Sequence, residues 1–444
     1  MLRADPALPF VDIARSGGKM VDFLNRAVLP LAWPGHVVRK LEQREMAYTP
    51  GRKCTALYSV EFADQSPGRS VRASVSFAKD GRLEELYRLV YGGSKSTNGL
   101  PSAVNLPAYH CLVEFFPMDG RLPALSQAVD PRKVAGRLLS ALNGGASKRG
   151  TDLEIAVLKY RPHETCVLSY TVRPTGECQR DVIGKIYRES SRAQRVWESL
   201  KSLDGNPEVI IPTPLGLISE WNLVLMERAP GVSMKALLEE APTVAQAREL
   251  SRLAATALVA FHQMQIDSLK IGSAETELAR VQKHTSRLRL VAPDLERAVQ
   301  SILDELRPLL MRSCASPLTP IHGDCKPTQF LLDGDQVAIV DFDGTCLGDR
   351  AIDLGNFMAQ FHKYALTSGN RYLKELPEYF LAEYLARSPD PGLERRSRLF
   401  LAVSLLRMAV RSFEGFPPSY RRQDALSLED LLLQEAENCL SKLG

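Results

Sequence analysis

The stretch from Ile321 to Phe357 limits what this chain can fold into more than any other. His322-Gly323-Asp324-Cys325-Lys326-Pro327-Thr328-Gln329 leads into Phe330-Leu331-Leu332 and a turn at Asp333-Gly334-Asp335. The apolar run Val337-Ala338-Ile339-Val340 follows and ends at Asp341-Phe342-Asp343-Gly344. Two apolar runs of strand length around an Asp-Gly turn predict a tight hairpin. Folding it returns Asp341 to the neighbourhood of Asp324 and Gln329, so that two carboxylates and an amide converge. Such an oxygen-rich cluster suits phosphoryl transfer, in which one group orients and deprotonates a hydroxyl while oxygen ligands hold Mg²⁺ against a triphosphate. Cys325 is an unsuitable ligand for that ion, which takes oxygen and not sulfur.

Bulk properties set the frame. A length of 444 residues implies two or three packed units, and 45% hydrophobic with 24% charged residues is the composition of a folded chain. The net charge of +4 is too weak a field to argue for nucleic acid, and an anionic cofactor is enough to account for it. Met1 to Gly18 carries Asp5 and Asp12 and no uninterrupted apolar core, so it does not read as a signal peptide. Apolar stretches such as Leu253 to Phe261 fall well short of the roughly 20 residues of a membrane span. Cys54, Cys111, Cys166, Cys178, Cys314, Cys325, Cys346 and Cys439 form no C-x-x-C pair, and reduced thiols of a cytoplasmic protein are expected.

Three regions differ in texture. Short β-like runs fill Leu41 to Phe116, including Cys54 to Phe62 and Val71 to Phe77, and a second β-rich region spans Leu153 to Glu227. Beyond Gly231, segments such as Val244 to Met264, Leu295 to Leu306, Pro377 to Ala386 and Leu393 to Arg411 have helical apolar spacing. The β-rich regions resemble each other. At an offset of 112 residues Leu41, Glu42, Tyr48, Pro50, Cys54, Tyr58 and Val60 fall on Leu153, Glu154, Tyr160, Pro162, Cys166, Tyr170 and Val172 without a gap. The strand Asp181 to Tyr187 contains Lys185. Its counterpart, Val71 to Phe77, places Ser74 there if a one-residue shift is allowed, so the first copy would have lost a phosphate ligand and become a cap or lid.

His-Gly-Asp, an amide five residues after the Asp, and a second Asp after a short hairpin resemble the aminoglycoside phosphotransferase and choline kinase family, relatives of the protein kinases. The resemblance implies that Asp324 is the catalytic base, Lys326 a contact to the γ-phosphate, Gln329 a metal ligand and Asp341 the main Mg²⁺ ligand. Gly348-Asp349-Arg350-Ala351-Ile352-Asp353-Leu354 fits the same family, with Asp349 read as a helix cap. Most members have Asn where this chain has Gln329. Gln there, with Asp-Phe-Asp-Gly and an extra N-terminal domain, is similar to the maltokinase and glucosamine kinase branch.

A kinase of this type needs a strand Lys that reaches the α- and β-phosphates and a helix Glu that holds it. Lys185 takes the first role. For the second, Glu198 on the predicted helix Ser191 to Leu200 is chosen, with Glu189 behind it. No Gly-x-Gly-x-x-Gly is present, and Arg161-Pro162-His163-Glu164-Thr165 stands in its place. Met226, Glu227 and Ala229 are expected at the hinge, with backbone groups of Glu227 to Ala229 pairing with adenine. His262 and His322 are read as structural.

The chain is thus expected to be an α+β, bilobal protein-kinase-like fold. It would comprise a β-rich N-terminal extension that resembles a degenerate copy of the N-lobe (1–145), a nucleotide lobe (146–231) and a helical catalytic lobe (232–444). The implied function is transfer of the γ-phosphate of ATP, with Mg²⁺, to a hydroxyl of a sugar, aminosugar, aminoglycoside or amino alcohol, with no nucleic-acid or membrane partner. The acceptor is expected between Asp324 and the helices from Glu375 to Arg411, with Glu378, Glu383 and Glu394 attracting an amine. Two alternatives stand beside it. A nucleotide-binding pseudokinase is suggested by Gln329 and the missing Gly-rich loop. A protein kinase is suggested by Lys326 and opposed by the lack of an Ala-Pro-Glu element.

Overall fold

The structure, a computed structural model, describes residues 4–63, 70–79, 81–92, 103–143, 152–173, 178–203, 208–240, 243–266, 269–313, 317–368, 370–415 and 427–442. Cys314 lies outside them. The other seven cysteines are free thiols.

Two five-stranded antiparallel sheets follow one another in the chain. The first comprises β1 (Val38–Thr49), β2 (Lys53–Phe62), β3 (Val71–Ala78), β4 (Ala103–Leu106) and β5 (Cys111–Phe115). The second comprises β6 (Asp152–Arg161), β7 (Thr165–Arg173), β8 (Arg180–Tyr187), β9 (Pro214–Ile218) and β10 (Leu223–Glu227). Their strand orders are the same: β1-β2-β3-β5-β4 and β6-β7-β8-β10-β9. A helix follows the third strand of each, Arg82–Tyr91 in one and Ser190–Ser202 in the other. A single 3₁₀ turn joins the fourth strand to the fifth and ends on a left-handed residue, His110 (φ 48) in one and Asn222 (φ 49) in the other. These two positions are again 112 residues apart.

Register makes the correspondence residue-specific. Tyr48 faces Cys54 as Tyr160 faces Cys166. Ser76 faces Thr55 and Leu112, whereas Lys185 faces Val167 and Val224, each pair offset by the same interval. The residue in the place of Lys185 is therefore Ser76, which corrects the assignment to Ser74. The connection before β3 is longer than that before β8, so the ungapped alignment fails at that point. Ser76 hydrogen-bonds Thr55 at 2.9 Å inside the sheet.

One helix before residue 145 packs across the expected division. The helix Pro131–Asn143 buries Val134, Leu138 and Leu139 in one cluster with Tyr170, Ile186 and Leu225 of the second sheet. Residues from Leu122 to Leu139 thus share a core with the nucleotide lobe, a core that Leu57 of the first sheet also enters.

Beyond the second sheet the chain is mainly helical. Thr243 and Ser273 cap the helices Val244–His262 and Ala274–Leu288, and Ser427 with Asp430 forms a capping box at Leu428–Ser441, so the orphan N–H groups of each first turn find acceptors. Hairpin strand β13 (Phe330–Asp333) lies between its partner β14 (Gln336–Ile339) and the short β11 (Val232–Ser233), while β12 (Thr319–Ile321) pairs with β15 (Cys346–Gly348). The hairpin sits on the helix Ala351–Ser368 through Phe330 and Phe357, whose rings meet edge to face at 5.0 Å. Ile210 donates to and accepts from the β14 backbone at 2.9 Å, which ties the segment after the helix Ser190–Ser202 to the helical body. Among the described residues no helix is long and apolar enough to cross a membrane.

The helix Ala351–Ser368 is held close to the helix Leu393–Gly415 by Gly355. A Cβ there would stand 2.5 Å from the Phe400 carbonyl carbon and 2.6 Å from the Leu401 nitrogen, both backbone atoms that cannot swing aside. Gly355→Ala is expected to lower unfolding stability by about 1–3 kcal/mol, the range for overpacking. Urea unfolding checks this, and an unchanged midpoint would refute the close approach.

Candidate active site

His322 follows β12 directly, and the next residues form a loop held by a buried carboxylate. Asp353, in the first turn of the helix Ala351–Ser368, accepts from the backbone N–H of His322 (2.5 Å) and of Gly323 (2.8 Å). It also accepts from Nε2 of His262 (3.1 Å), whose Nδ1 takes the Tyr384 hydroxyl at 2.7 Å. Burial lowers the His262 pKa against the pull of Asp353, which suits a neutral packing imidazole. The His322 ring donates from Nε2 to the Val340 carbonyl (3.0 Å) and accepts from the Asp324 N–H (3.4 Å), so it links the loop to the hairpin end. Gly323 has φ 74, and a Cβ there would run into the Gly344 carbonyl. Asp349 caps the helix through the Ala351 N–H (3.0 Å) and binds Arg396 (2.8 Å).

This loop and the hairpin bring Asp324, Lys326, Gln329 and Asp341 together. Lys326 Nζ lies 2.5 Å from Asp324 Oδ2. The Gln329 amide nitrogen sits between Asp324 and Asp341, 3.4 Å from each, and leaves Oε1 buried without a partner. Asp341 is in the left-handed region (φ 73), which turns its carboxylate back toward the loop, and its side chain is 42% exposed. Burial works against the charge on Asp324, but Lys326, joined by Arg407 and His322, outweighs it and holds the carboxyl below its ordinary range. Desolvation likewise opposes Asp341, and Lys185 outweighs that by more. Gln329 Oε1 and the accessible Asp341 carboxylate are hard oxygen donors with free capacity, the chemistry Mg²⁺ takes. Burial pushes the Cys325 thiol well up, which suits an inert core residue.

Lys185 reaches across from β8 and donates to Asp341 (2.6 Å) and Asp343 (2.8 Å). The expectation of a helix glutamate as its partner is corrected here. Glu198 is exposed, accepts from Gln194 (2.8 Å) and pairs with Lys201 (3.6 Å), while Glu189 is exposed at the helix N-cap. The helix Ser190–Ser202 instead presents Arg192, which donates to Asp343 Oδ2 at 2.7 Å, and Tyr187 donates to Asp343 Oδ1 at 2.7 Å. Asp343 is thus the carboxylate that anchors Lys185, and the helix supplies a cation. Asp343 was visible in the Asp-Phe-Asp-Gly run, but its partners are more than 150 residues away.

Lys185, Met226, Glu227, Ala229, Asp341 and Asp343 line one cleft of about 380 Å³. Glu198 is not in it. The Glu227 and Arg228 N–H groups are taken up by the carbonyls of Thr213 (2.9 Å) and Asp181 (3.1 Å). Of the three hinge N–H groups only that of Ala229 lacks a protein partner among the described residues.

The turn between β6 and β7 behaves unlike the flexible loop it was expected to replace. Arg161 and Thr165 line the cleft, but His163 (φ 66) inserts into the first sheet. Lys53 donates to its Nδ1 at 2.6 Å, and its Nε2 donates to Glu114. Asp119 accepts from the His163 N–H (2.8 Å) and the Tyr160 hydroxyl (2.9 Å). The acidic residues expected to attract an amine are already paired. Arg398 grips Glu378 at 2.7 and 2.8 Å and Glu394 at 2.9 Å, and Arg387 holds Glu383 at 2.6 Å.

A five-stranded lobe with an inward lysine, a short hinge, and a helical body carrying an Asp-loop and an Asp-turn define a protein-kinase-like phosphotransferase. The family model of the phosphotransferase enzyme family matches residues 169–397, and the chain belongs to this family, as a small-molecule kinase. Similar solved structures include a thermostable mutant of aminoglycoside phosphotransferase APH(4)-Ia in ternary complex with ADP and hygromycin B. It is 16% identical over 69% of this chain and 98% of that one, with a TM-score of 0.46. A Plasmodium vivax ethanolamine kinase is 16% identical over 65% and 83%, with a TM-score of 0.46. A choline/ethanolamine kinase family protein from Mesorhizobium loti is 15% identical over 69% and 92%, with a TM-score of 0.43. No protein of curated function matches the chain significantly.

If Asp343 anchors Lys185, Asp343→Asn is expected to lower kcat/KM for the nucleotide by about 10–100-fold, as loss of a supporting carboxylate commonly does. Glu198→Gln is expected to leave it unchanged. Steady-state kinetics of the two variants compare them, and the opposite ranking would restore the helix glutamate.

Proposed function

We propose that the protein transfers the γ-phosphate of Mg²⁺-bound ATP to a hydroxyl of a neutral or anionic small molecule, a sugar being the best fit. The observation that carries this reading is the convergence of Asp324, Lys326, Gln329, Asp341 and Lys185 on one end of the cleft. Asp324 accepts the acceptor's hydroxyl proton as that oxygen bonds to the γ-phosphorus. The bond from the phosphorus to the β,γ-bridging oxygen breaks, and ADP leaves with the electron pair. Lys326 moves from Asp324 toward the transferred group and neutralises its oxygens. Lys185 holds the α- and β-phosphates, and the Ala229 N–H receives the adenine edge. Gln329 and Asp341 would hold Mg²⁺, which when bound would draw charge from the phosphate oxygens.

The neutral or anionic acceptor rests on charge. Lys326 stands beside Asp324, whereas the carboxylates once assigned to an amine are held by arginines. An aminoglycoside or amino alcohol would meet cations there. The first sheet, in the same reading, is a duplicated lobe in which Ser76 has replaced the lysine and whose open face now grips the β6–β7 turn.

An ATP-consumption screen over sugars, sugar acids and amino alcohols tests the assignment. Turnover is expected with the first two groups, and Asp324→Asn should reduce kcat by about 10²–10⁴-fold, the contribution of a general base. Nucleotide bound without turnover on any acceptor would return the pseudokinase reading.

The pH profile offers a second check. Asp324 acts as the carboxylate, and its folded pKa is depressed, so activity persists through neutral pH and is lost only as pH falls through that lowered value. Lys326→Met removes the largest of the charges that oppose burial. The acid limb of kcat/KM should move to higher pH, and a limb that stays in place would refute the pairing as the cause.

A further inference from the structure

A second cavity, of about 300 Å³, opens where the first sheet, the second sheet and the helix Ala274–Leu288 meet. Its walls carry Arg52, Lys53, Arg82, Arg121, Arg188 and Arg287, and His163 is also part of the lining. These residues come from the β1–β2 turn and the start of β2, the start of the helix Arg82–Tyr91, the segment after β5, the β6–β7 turn, the residue after β8 and the helix Ala274–Leu288. Among the described residues none of the five guanidinium groups has a carboxylate within ion-pair distance.

Glu114 and Asp119, the carboxylates that act on Lys53, are engaged elsewhere. Glu114 takes the Tyr91 hydroxyl and the Gly120 N–H, both at 2.7 Å, together with His163. Asp119 takes the N–H groups of Arg121, Leu122 and His163 and the Tyr160 hydroxyl. Both are wholly buried, with every oxygen engaged. Burial brings the Lys53 ammonium down to about 8; Glu114 and Asp119 oppose that, while Arg121 and Arg188 reinforce it. Five unanswered guanidinium groups around one cavity repel one another, and an anion between them removes that cost. The planar fork of arginine matches phosphate oxygens in pairs, and one phosphate engages two or three such groups.

We propose that this cavity is an effector site for a compact anion carrying at least two phosphate groups, separate from the nucleotide cleft. Its occupant is coupled to that cleft through two short paths. Arg188 lies three residues beyond Lys185, and its N–H donates to the Glu164 carbonyl at 3.1 Å, within the turn whose Arg161 and Thr165 line the cleft. His163, on the same turn, joins the cavity lining directly. An anion that draws Arg52, Arg82 and Arg121 toward Arg188 clamps this turn against the first sheet and changes the apparent affinity for nucleotide.

Inorganic tripolyphosphate is the probe, titrated calorimetrically into the full chain with the cleft saturated by Mg²⁺ and a non-hydrolysable ATP analogue. Saturable one-to-one binding is expected, with affinity falling as salt rises. Arg52→Gln and Arg121→Gln should each weaken it by about tenfold, the change expected on losing a charge-assisted hydrogen bond. Their melting temperatures and their turnover without tripolyphosphate should match wild type. The proposal is overturned if tripolyphosphate fails to bind at millimolar concentration, or if both variants bind it as wild type does. It is overturned equally if a single-stranded RNA oligonucleotide displaces the probe at far lower concentration, since the surface would then belong to nucleic acid. Binding is read without catalysis, so failure of the phosphotransferase assignment would leave this test intact.

Discussion

An ammonium that is only 13% exposed must be met by negative charge, and Lys185 is met by two carboxylates of the turn Asp341 to Gly344. That one meeting aligns the sheet lobe with the helical body. Lys185 belongs to β8, the turn closes the hairpin, and Asp343 is also reached by Arg192 from the helix Ser190–Ser202. Strand β8, the helix that follows it and a turn more than 150 residues further on are therefore fixed by one side chain, Asp343. A buried ion pair adds little net stability, because desolvation offsets most of the attraction, but it penalises every arrangement that leaves one partner alone. Its value here is registry. Asp341, pinned at one oxygen and open to the cleft, is left aimed at the space shared with Gln329 and Asp324.

The polarity of this junction is reversed relative to the pattern the family resemblance suggested. A helix carboxylate was sought for Lys185, whereas the helix offers Arg192 and the carboxylate comes from the turn. The charge balance is preserved by moving the acid from one element to another. Such an exchange is hard to see in sequence, because each residue looks ordinary where it stands. Glu198 lies at a plausible helical position, yet its neighbours Gln194 and Lys201 are i−4 and i+3 and satisfy it locally.

What was legible followed from short-range chemistry. The hairpin from Phe330 to Ile339 is written in two apolar runs and an Asp-Gly turn, and its closure dictates that Asp341 returns to Gln329. The repeated strand order was legible because Leu41/Leu153, Tyr48/Tyr160 and Cys54/Cys166 keep one spacing through a β-hairpin, whose register is fixed by its turn. The spacing fails at Ser76, where a longer connection breaks the offset, and at the helix Pro131–Asn143, whose apolar face fits either sheet until packing decides. The partners of Asp343 and His163 were illegible for a different reason. They depend on contacts across 44 to 158 residues, set by the docking of whole sheets.

The first sheet explains why a turn without glycines can serve beside the cleft. A glycine-rich loop approaches phosphate through bare backbone and is ordered by its ligand. Arg161 to Thr165 contains Pro162 and a left-handed His163, a stiff shape that must be held from outside. The face of the first sheet that corresponds to the nucleotide face of the second does the holding. Lys53 cannot accept a hydrogen bond, so His163 Nδ1 is the acceptor and Nε2 carries the proton donated to Glu114. Burial opposes the Glu114 charge, but His163, Tyr91 and the Gly120 N–H outweigh it and keep the carboxyl below its ordinary range. Each polar atom of this network has its partner, and at low dielectric a complete network is rigid where an incomplete one is costly. The lysine of the second sheet and the serine of the first are thus two uses of one topology. Lys185 keeps a cleft open by presenting charge to it. Ser76, bonded to Thr55 within its own sheet, presents none, and the face beside it is filled by the neighbouring lobe.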